Sequence, residues 1–128
     1  MKPGGDALVT DACVPISRLA DCVEQTRADI EEHGLLAPMV GHVGDGNFHT
    51  SVLIDPDNEQ ELAGAVAFSE RLSRRAIEMG GTCTGEHGIG QGKQKYLRSE
   101  LGEAVDVMRA IKQALDPNDI LNPGKIFS

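Results

Sequence analysis

Two histidines, His42 and His49, flank an Asp45-Gly46 dipeptide within residues 41–49. Asp-Gly between alternating apolar residues is typical of a two-residue hairpin turn. With that turn, His42 and His49 would be direct cross-strand neighbours, and their Cβ atoms would lie about 4.5–5.5 Å apart. Imidazole nitrogens at that separation can bind one divalent cation. The sequence therefore predicts part of a metal site on this hairpin.

The alternation of side chains predicts which face of the hairpin carries the histidines. Successive residues of a strand point to opposite faces of a sheet. The set expected to face the core is Met39, Val43, Phe48, Val52 and Ile54. The set expected on the other face is Val40, His42, His49, Ser51 and Leu53. Because the second set is the more polar, we expect the histidine face to be open to a ligand.

A second cluster of chemical groups, Glu86-His87, lies in the glycine-rich residues 85–92. Glycines at this density let the backbone turn sharply and let a ligand approach the main chain. Glu86 would join the two hairpin histidines as a third ligand, and His87 beside it would exchange a proton. Two imidazoles and one carboxylate with an open position are typical of a catalytic metal site. These residue types are also common without any metal, so the spacing alone leaves both interpretations open.

The composition limits the class of protein. The chain has 128 residues, of which 40% are hydrophobic and 25% charged, as expected for one globular domain with its own core. The net charge of −8 argues against nucleic-acid binding, and it means that an anionic substrate needs a local cation. Three cysteines without a CxxC pair fit reduced, buried thiols. No apolar run approaches the ~20 residues of a membrane-spanning helix, so we expect a soluble, cytoplasmic chain.

The remaining sequence predicts the elements that position these two clusters. They are a strand in 7–16, a helix at 17–33, hairpin strands at 38–43 and 48–54, a helix at 58–79, a short strand at 82–84 and a helix near 105–115. This order predicts an α+β, ferredoxin-like split βαββαβ fold with both long helices on one face of a four-stranded antiparallel sheet. We expect a single domain over 1–128, made of a ferredoxin-like unit at 1–90 and a helical tail at 91–128.

Four runs of residues carry a family resemblance. They are TDACVPISRL (10–19), GHVGDGNFH (41–49), GTCTGEHGIGQGK (81–93) and LDPNDILNPGKI (115–126). The runs resemble the C-terminal part of the FAD-linked D-2-hydroxy acid dehydrogenases of the vanillyl-alcohol oxidase superfamily. Within that group they are most similar to the cytochrome-type D-lactate dehydrogenases. The glycolate oxidase flavin subunit and D-2-hydroxyglutarate dehydrogenase are more distant relatives.

The resemblance implies a reaction and a role for each group in the two clusters. His42, His49 and Glu86 would ligate a divalent metal, zinc or manganese, and His87 would take the proton of the substrate hydroxyl. The hydride of the substrate α-carbon would go to FAD, and the electrons would then pass to a cytochrome or quinone. A metal that chelates the substrate carboxylate and hydroxyl lowers the hydroxyl pKa, and a histidine titrates in the right range to accept the proton.

The resemblance also implies contacts to the substrate and to the flavin. Asn47 and Ser51 would lie at the substrate, and Asn122 and Lys125 of the tail would lie toward the flavin and help to bind it. Relatives that act on a longer diacid have Asn at the position of Ser51. This difference favours D-lactate or a similar small D-2-hydroxy acid as substrate.

The FAD-binding domain that precedes this region in the family is absent from the 128 residues. We therefore expect a C-terminal fragment that is inactive alone, that needs the missing domain to hold FAD, and whose exposed sheet face promotes self-association. In the full-length protein, peripheral association with the inner membrane is a further option. The alternative is a stand-alone ferredoxin-like module that binds a metal or a small ligand without redox activity.

Overall fold

The computed structural model describes residues 5–127. The chain divides into two units, Met1–Glu86 and His87–Ser128. The described elements of the first unit are β1 (Asp6–Val9), β2 (Ala12–Cys13), α1 (Ile16–Glu32), β3 (Met39–His42), β4 (Asn47–Ile54) and α2 (Glu59–Glu78). Those of the second unit are α3 (Gln94–Leu101) and α4 (Ala104–Leu115). None of the described helices is both long and apolar enough to cross a membrane.

The central strand of the sheet is β4, which pairs antiparallel with β1 and β2 on one side and with β3 on the other. The predicted α+β class and the four-stranded antiparallel sheet are confirmed. A strand predicted at 82–84 is reduced to one antiparallel bridge, between Cys13 and Thr82. The reason is local, because Thr82 Oγ1 accepts from the Thr84 N–H and donates to the Thr84 carbonyl, which curls the chain away from the sheet.

The hydrophobic core lies between the sheet and the two long helices of the first unit. From β4 it takes Phe48, Val52 and Ile54, from α1 Leu19 and Cys22, and from α2 Ala65, Phe68, Leu72 and Ala76. Burying one such large side chain is worth about 1.5–3 kcal/mol. Helical spacing in the sequence predicts that one side of α2 is buried, formed by Leu62, Val66, Ser69, Leu72, Ala76 and Met79. This prediction is partly wrong, because Leu62 and Val66 remain 42% and 41% exposed. The helix is rotated so that the larger ring of Phe68 is fully buried instead.

The hairpin between β3 and β4 has a longer turn than predicted. A 3-10 turn at Val43–Asp45 is followed by Gly46, whose φ of 71° is left-handed. His42 therefore pairs with Asn47, and Val40 pairs with His49. The predicted direct pairing of His42 with His49 is wrong.

Gly46 explains this register, because Val14, the residue that follows β2, holds Gly46 in place. The Val14 N–H donates to the Gly46 carbonyl at 3.0 Å. A Cβ added to Gly46 would lie 2.1 Å from the Val14 carbonyl oxygen, so only glycine fits. The shift moves the pairing by two residues, which keeps every strand residue on its predicted face. Only Val43 departs from the prediction, since it lies in the turn and is 70% exposed.

The sequence pattern does not predict α3. Within this helix only Tyr96 and Leu97 are buried, which is too few to produce a helical period. Helix α4 agrees closely with the helix predicted near 105–115, and Asp116 is its C-cap residue. The Asp116 carboxylate accepts hydrogen bonds from the N–H groups of Ile120 and Leu121, which turn the chain into the tail.

A buried carboxylate joins α1 to α2. Asp29 accepts hydrogen bonds from Arg71 Nε and Nη2 at 3.0 and 2.6 Å, and from Arg75 Nη2 at 3.1 Å. Burial alone would raise the pKa of Asp29, but the hydrogen bonds from Arg71 and Arg75 outweigh it and hold the pKa below its ordinary value. The folded state therefore contains a charged, paired Asp29.

Replacing Asp29 with alanine is expected to lower the free energy of unfolding by about 2–4 kcal/mol, because two arginines lose a buried partner. The control is Asp21→Ala on the same helix, whose pair with Arg18 is solvent-exposed and should contribute less than about 1 kcal/mol. Urea unfolding measures both. Since the folded pKa is lowered, the stabilisation by Asp29 is complete above its unfolded pKa of about 3.9 and is lost as the pH falls through the folded value. Equal losses in the two variants at neutral pH would contradict this account.

Candidate metal centre

Three segments of the first unit bring His42, His49 and Glu86 together. His42 ends β3, His49 lies on β4, and Glu86 lies in the bend that follows the Thr82 bridge. Each residue offers a ligand atom, and these atoms all lie within 4.8 Å of one another. The ligand set predicted from the sequence is thus gathered at one point on the face of the sheet opposite the core.

The two histidines meet on a diagonal of the hairpin. His42 pairs with Asn47, and His49 is two residues farther along β4 on the same face. Diagonal neighbours are within reach of long and aromatic side chains. The ring centroids lie 6.0 Å apart with an interplanar angle of 87°. The two imidazoles therefore converge although the predicted register is wrong.

The donor set suits a divalent metal. His49 Nε2 lies 3.1 Å from Glu86 Oε1, and the His49 side chain is 11% exposed while that of Glu86 is 56% exposed. Ligands in a tetrahedral zinc site lie about 3.4 Å apart, so the widest separation must shorten by roughly 1–1.5 Å on binding. His42 and Glu86 are exposed and have room to make this adjustment. A site with two nitrogens and one oxygen leaves a position open to solvent.

Asp11 lies directly beside this site, although no sequence motif predicts a role for it. The pairs Val9–Ser51 and Ala12–Phe48 keep one register, which places Asp11 opposite His49 on β4. Asp11 is only 2% exposed, and its Oδ1 lies 3.5 Å from His49 Nδ1. Its Oδ2 accepts the Glu86 backbone N–H at 2.9 Å. The available signal is that Asp11 is the only charged residue within 7–16.

Asn47 and Ser51, the residues predicted at the substrate, lie on the same strand as His49. Asn47 is buried, and its Nδ2 donates to Asp11 Oδ1 at 2.8 Å and to the Ala12 carbonyl at 3.1 Å. Its Oδ1 accepts no hydrogen bond from any residue within 5–127. Ser51 is partly buried and lies two residues beyond His49. Asn47 thus supports Asp11 directly, whereas Ser51 lies on the more exposed part of this face.

Gly85 allows the Glu86 segment to approach the sheet. A Cβ added to Gly85 would lie 1.7 Å from Asn47 Nδ2 and 2.7 Å from Asp11 Oδ1. No other residue type fits at that distance without moving the chain. The glycine predicted to permit a turn therefore also permits close backbone contact beneath Glu86.

The other predicted site residues belong to the second unit. His87 is its first residue, is exposed, and lies with Glu86 in a bend. Asn122 has a left-handed φ of 48°, and its carbonyl accepts the Lys125 N–H at 3.2 Å. Lys125 lines a cleft of about 430 Å³ within this unit.

Comparison with known proteins identifies the family of this chain. Residues 1–126 match the family described as FAD linked oxidases, C-terminal domain. The chain is 50% identical to the probable mitochondrial D-lactate dehydrogenase of Danio rerio, over 99% of this chain and 26% of that protein. It is 47% identical to the mitochondrial D-lactate dehydrogenase [cytochrome] of Arabidopsis thaliana, over 99% of this chain and 23% of that protein.

A more distant relative is the glycolate oxidase subunit GlcD of Bacillus subtilis, which is 39% identical over 100% of this chain and 27% of that protein. The chain thus spans about a quarter of the length of these relatives. The family match covers nearly all of the sequence, including every residue of the candidate metal centre. The chain belongs to the C-terminal domain family of the FAD-linked oxidases.

Proposed function

We propose that this chain is the substrate- and metal-binding domain of an FAD-dependent dehydrogenase that oxidises D-lactate or a similar small D-2-hydroxy acid to the 2-oxo acid. The observation that carries the proposal is the convergence of His42, His49 and Glu86 within 4.8 Å, in a chain of the FAD-linked oxidase family. Relatives named as D-lactate dehydrogenases, at 47–50% identity, support the substrate class.

The charge of the site supports a divalent cation such as zinc or manganese. Asp11 and Glu86 are two carboxylates beside two imidazoles, and the chain carries a net charge of −8. An anionic substrate would be repelled from this point unless a cation balanced the carboxylates. A bound divalent ion would act as a Lewis acid on the substrate hydroxyl and would fix the carboxylate beside it.

The residues of the chain then divide the work. His42, His49 and Glu86 would hold the ion, and His87 would accept the hydroxyl proton at an imidazole nitrogen. Ser51 would contact the substrate, and the buried Asn47, expected from the sequence to contact it too, would support the site through its hydrogen bond to Asp11. Asn122 and Lys125 would help to bind the flavin. FAD would supply the acceptor for the hydride of the α-carbon, and a cytochrome or quinone would reoxidise it. Loss of one hydride, to the flavin, and one proton, to His87, would convert the 2-hydroxy acid to the 2-oxo acid.

A chimera tests this function. The corresponding 26% of the Danio rerio relative is replaced by this chain, and the purified protein is loaded with FAD. D-lactate is expected to reduce the flavin at least about tenfold faster than D-2-hydroxyglutarate, because Ser51 offers the second carboxylate no amide donor. Ser51→Asn is the matched variant and should narrow this ratio.

A chimera that binds FAD and zinc but is not reduced by D-lactate would contradict the proposal. That result would instead favour a metal-binding module without redox activity. The unmodified Danio rerio protein is the control for the assay.

A further inference from the structure

Three hydrogen bonds converge on the buried carboxylate of Asp11, and the imidazole of His49 lies beside it. Its Oδ1 accepts from Asn47 Nδ2 at 2.8 Å and lies 3.5 Å from His49 Nδ1. Its Oδ2 accepts from the Glu86 N–H at 2.9 Å and from Thr84 Oγ1 at 3.1 Å. A buried carboxylate is costly unless its oxygens are well hydrogen-bonded. This carboxylate receives that support from both β4 and the segment that carries Glu86.

We propose that Asp11 is a positioning residue that presents His49 to the metal through Nε2 and fixes the backbone of Glu86. The inference rests on the proposed metal site of the previous section. A carboxylate only accepts hydrogen bonds, so the His49 nitrogen that faces it, Nδ1, carries the hydrogen when a metal is bound. Nε2 is then the nitrogen with the lone pair.

The position of Nε2 agrees with this assignment. His49 Nε2 lies 3.1 Å from Glu86 Oε1, on the side of the ring away from Asp11. This is a hydrogen-bond distance when Nε2 carries the hydrogen. With the hydrogen on Nδ1 instead, the lone pair of Nε2 faces the carboxylate oxygen, and a bound cation would be shared by both atoms. A carboxylate that holds the second nitrogen of a metal-bound histidine fixes its tautomer and ring orientation, and losing it costs 10–100-fold in metal affinity in known sites.

Asp11 also acts on the third ligand. Its Oδ2 accepts a hydrogen bond from the Glu86 N–H. The carboxylate that orients His49 therefore also fixes the position of the Glu86 backbone. Asparagine has the same shape but only one acceptor oxygen. In an Asp11→Asn variant the amide NH₂ group must therefore face at least one of the donors. The substitution should disturb His49 or Glu86 while leaving the hydrophobic core unchanged.

Titration calorimetry with zinc on the 128-residue chain tests this role. Asp11→Asn is expected to weaken zinc binding about 10–100-fold. The control is Asp29→Ala, which also removes a buried carboxylate from the first unit but lies in the helix pair, where it contacts Arg71 and Arg75. Asp29→Ala should lower stability and leave the zinc affinity unchanged. An Asp11→Asn chain that binds zinc as tightly as the unaltered chain would overturn the proposal.

A second measurement needs no substitution. NMR-active cadmium is bound in place of zinc to the chain with isotope-labelled histidine. Scalar coupling from cadmium to His49 Nε2, with a hydrogen on Nδ1, is the expected result. Coupling to Nδ1 would overturn the role of Asp11 and leave the metal site standing. If the unaltered chain binds neither zinc nor cadmium, the proposed metal site itself fails, and the inference fails with it.

Discussion

Replacing His87 with alanine is expected to lower the rate of flavin reduction by about 10²–10⁴-fold in the FAD-loaded chimera, the usual scale of general base catalysis. His87 is exposed and directly follows Glu86 in the chain, and in the proposed function it takes the hydroxyl proton and is not a metal ligand. The variant should bind zinc with nearly unchanged affinity. The pH profile of its flavin reduction should differ from that of the unaltered chimera.

Stopped-flow absorbance across roughly pH 5 to 9 measures this effect. The matched control is His33→Ala, because His33 lies beyond the end of α1 and contacts Asp29. Its rate and pH profile should follow those of the unaltered chimera. A His87→Ala protein that keeps both its rate and its pH profile would place the base elsewhere.

Replacing His49 with alanine is expected to weaken zinc binding by at least about 100-fold, more than the loss of the Asp11 carboxylate, because a ligand itself is removed. The variant should also lose some stability, because the His49 side chain is only 11% exposed and its removal leaves a void. His42→Ala should show a comparable loss of affinity with little loss of stability, because His42 is exposed.

Titration calorimetry and thermal unfolding of the same samples separate the two effects. Glu86→Gln keeps the size of the side chain and removes its charge, so it should weaken the binding of zinc. An affinity that stays the same in all three variants would exclude a shared site.

Strand alternation predicts the two faces of the hairpin correctly, although the hairpin register is wrong. The register depends on a contact between residues far apart in the sequence, the hydrogen bond and close packing of Val14 against Gly46. Alternation survives because the displacement is two residues, which keeps each side chain on its face. For this reason His42 and His49 are still found together, as diagonal neighbours instead of direct partners.

Asp11 shows why part of the site cannot be predicted from local sequence. A lone aspartate in an apolar strand has no local pattern that assigns it a role. Its partners lie far away along the chain, at Asn47 and at Glu86. Only the pairing of β1 and β2 with β4 places the Asp11 carboxylate opposite His49. Similarly, the buried face of α2 is decided by how Phe68 packs into the core, which helical periodicity alone does not specify.

The most direct test of the central claim is to locate the metal itself. Crystals of the chain soaked with zinc are measured on both sides of the zinc absorption edge, and an anomalous difference map is calculated. We expect one strong peak about 2.0–2.2 Å from Nε2 of His49, a ring nitrogen of His42 and a carboxylate oxygen of Glu86. A fully soaked crystal with no peak at this point, or with zinc bound only elsewhere, would contradict it.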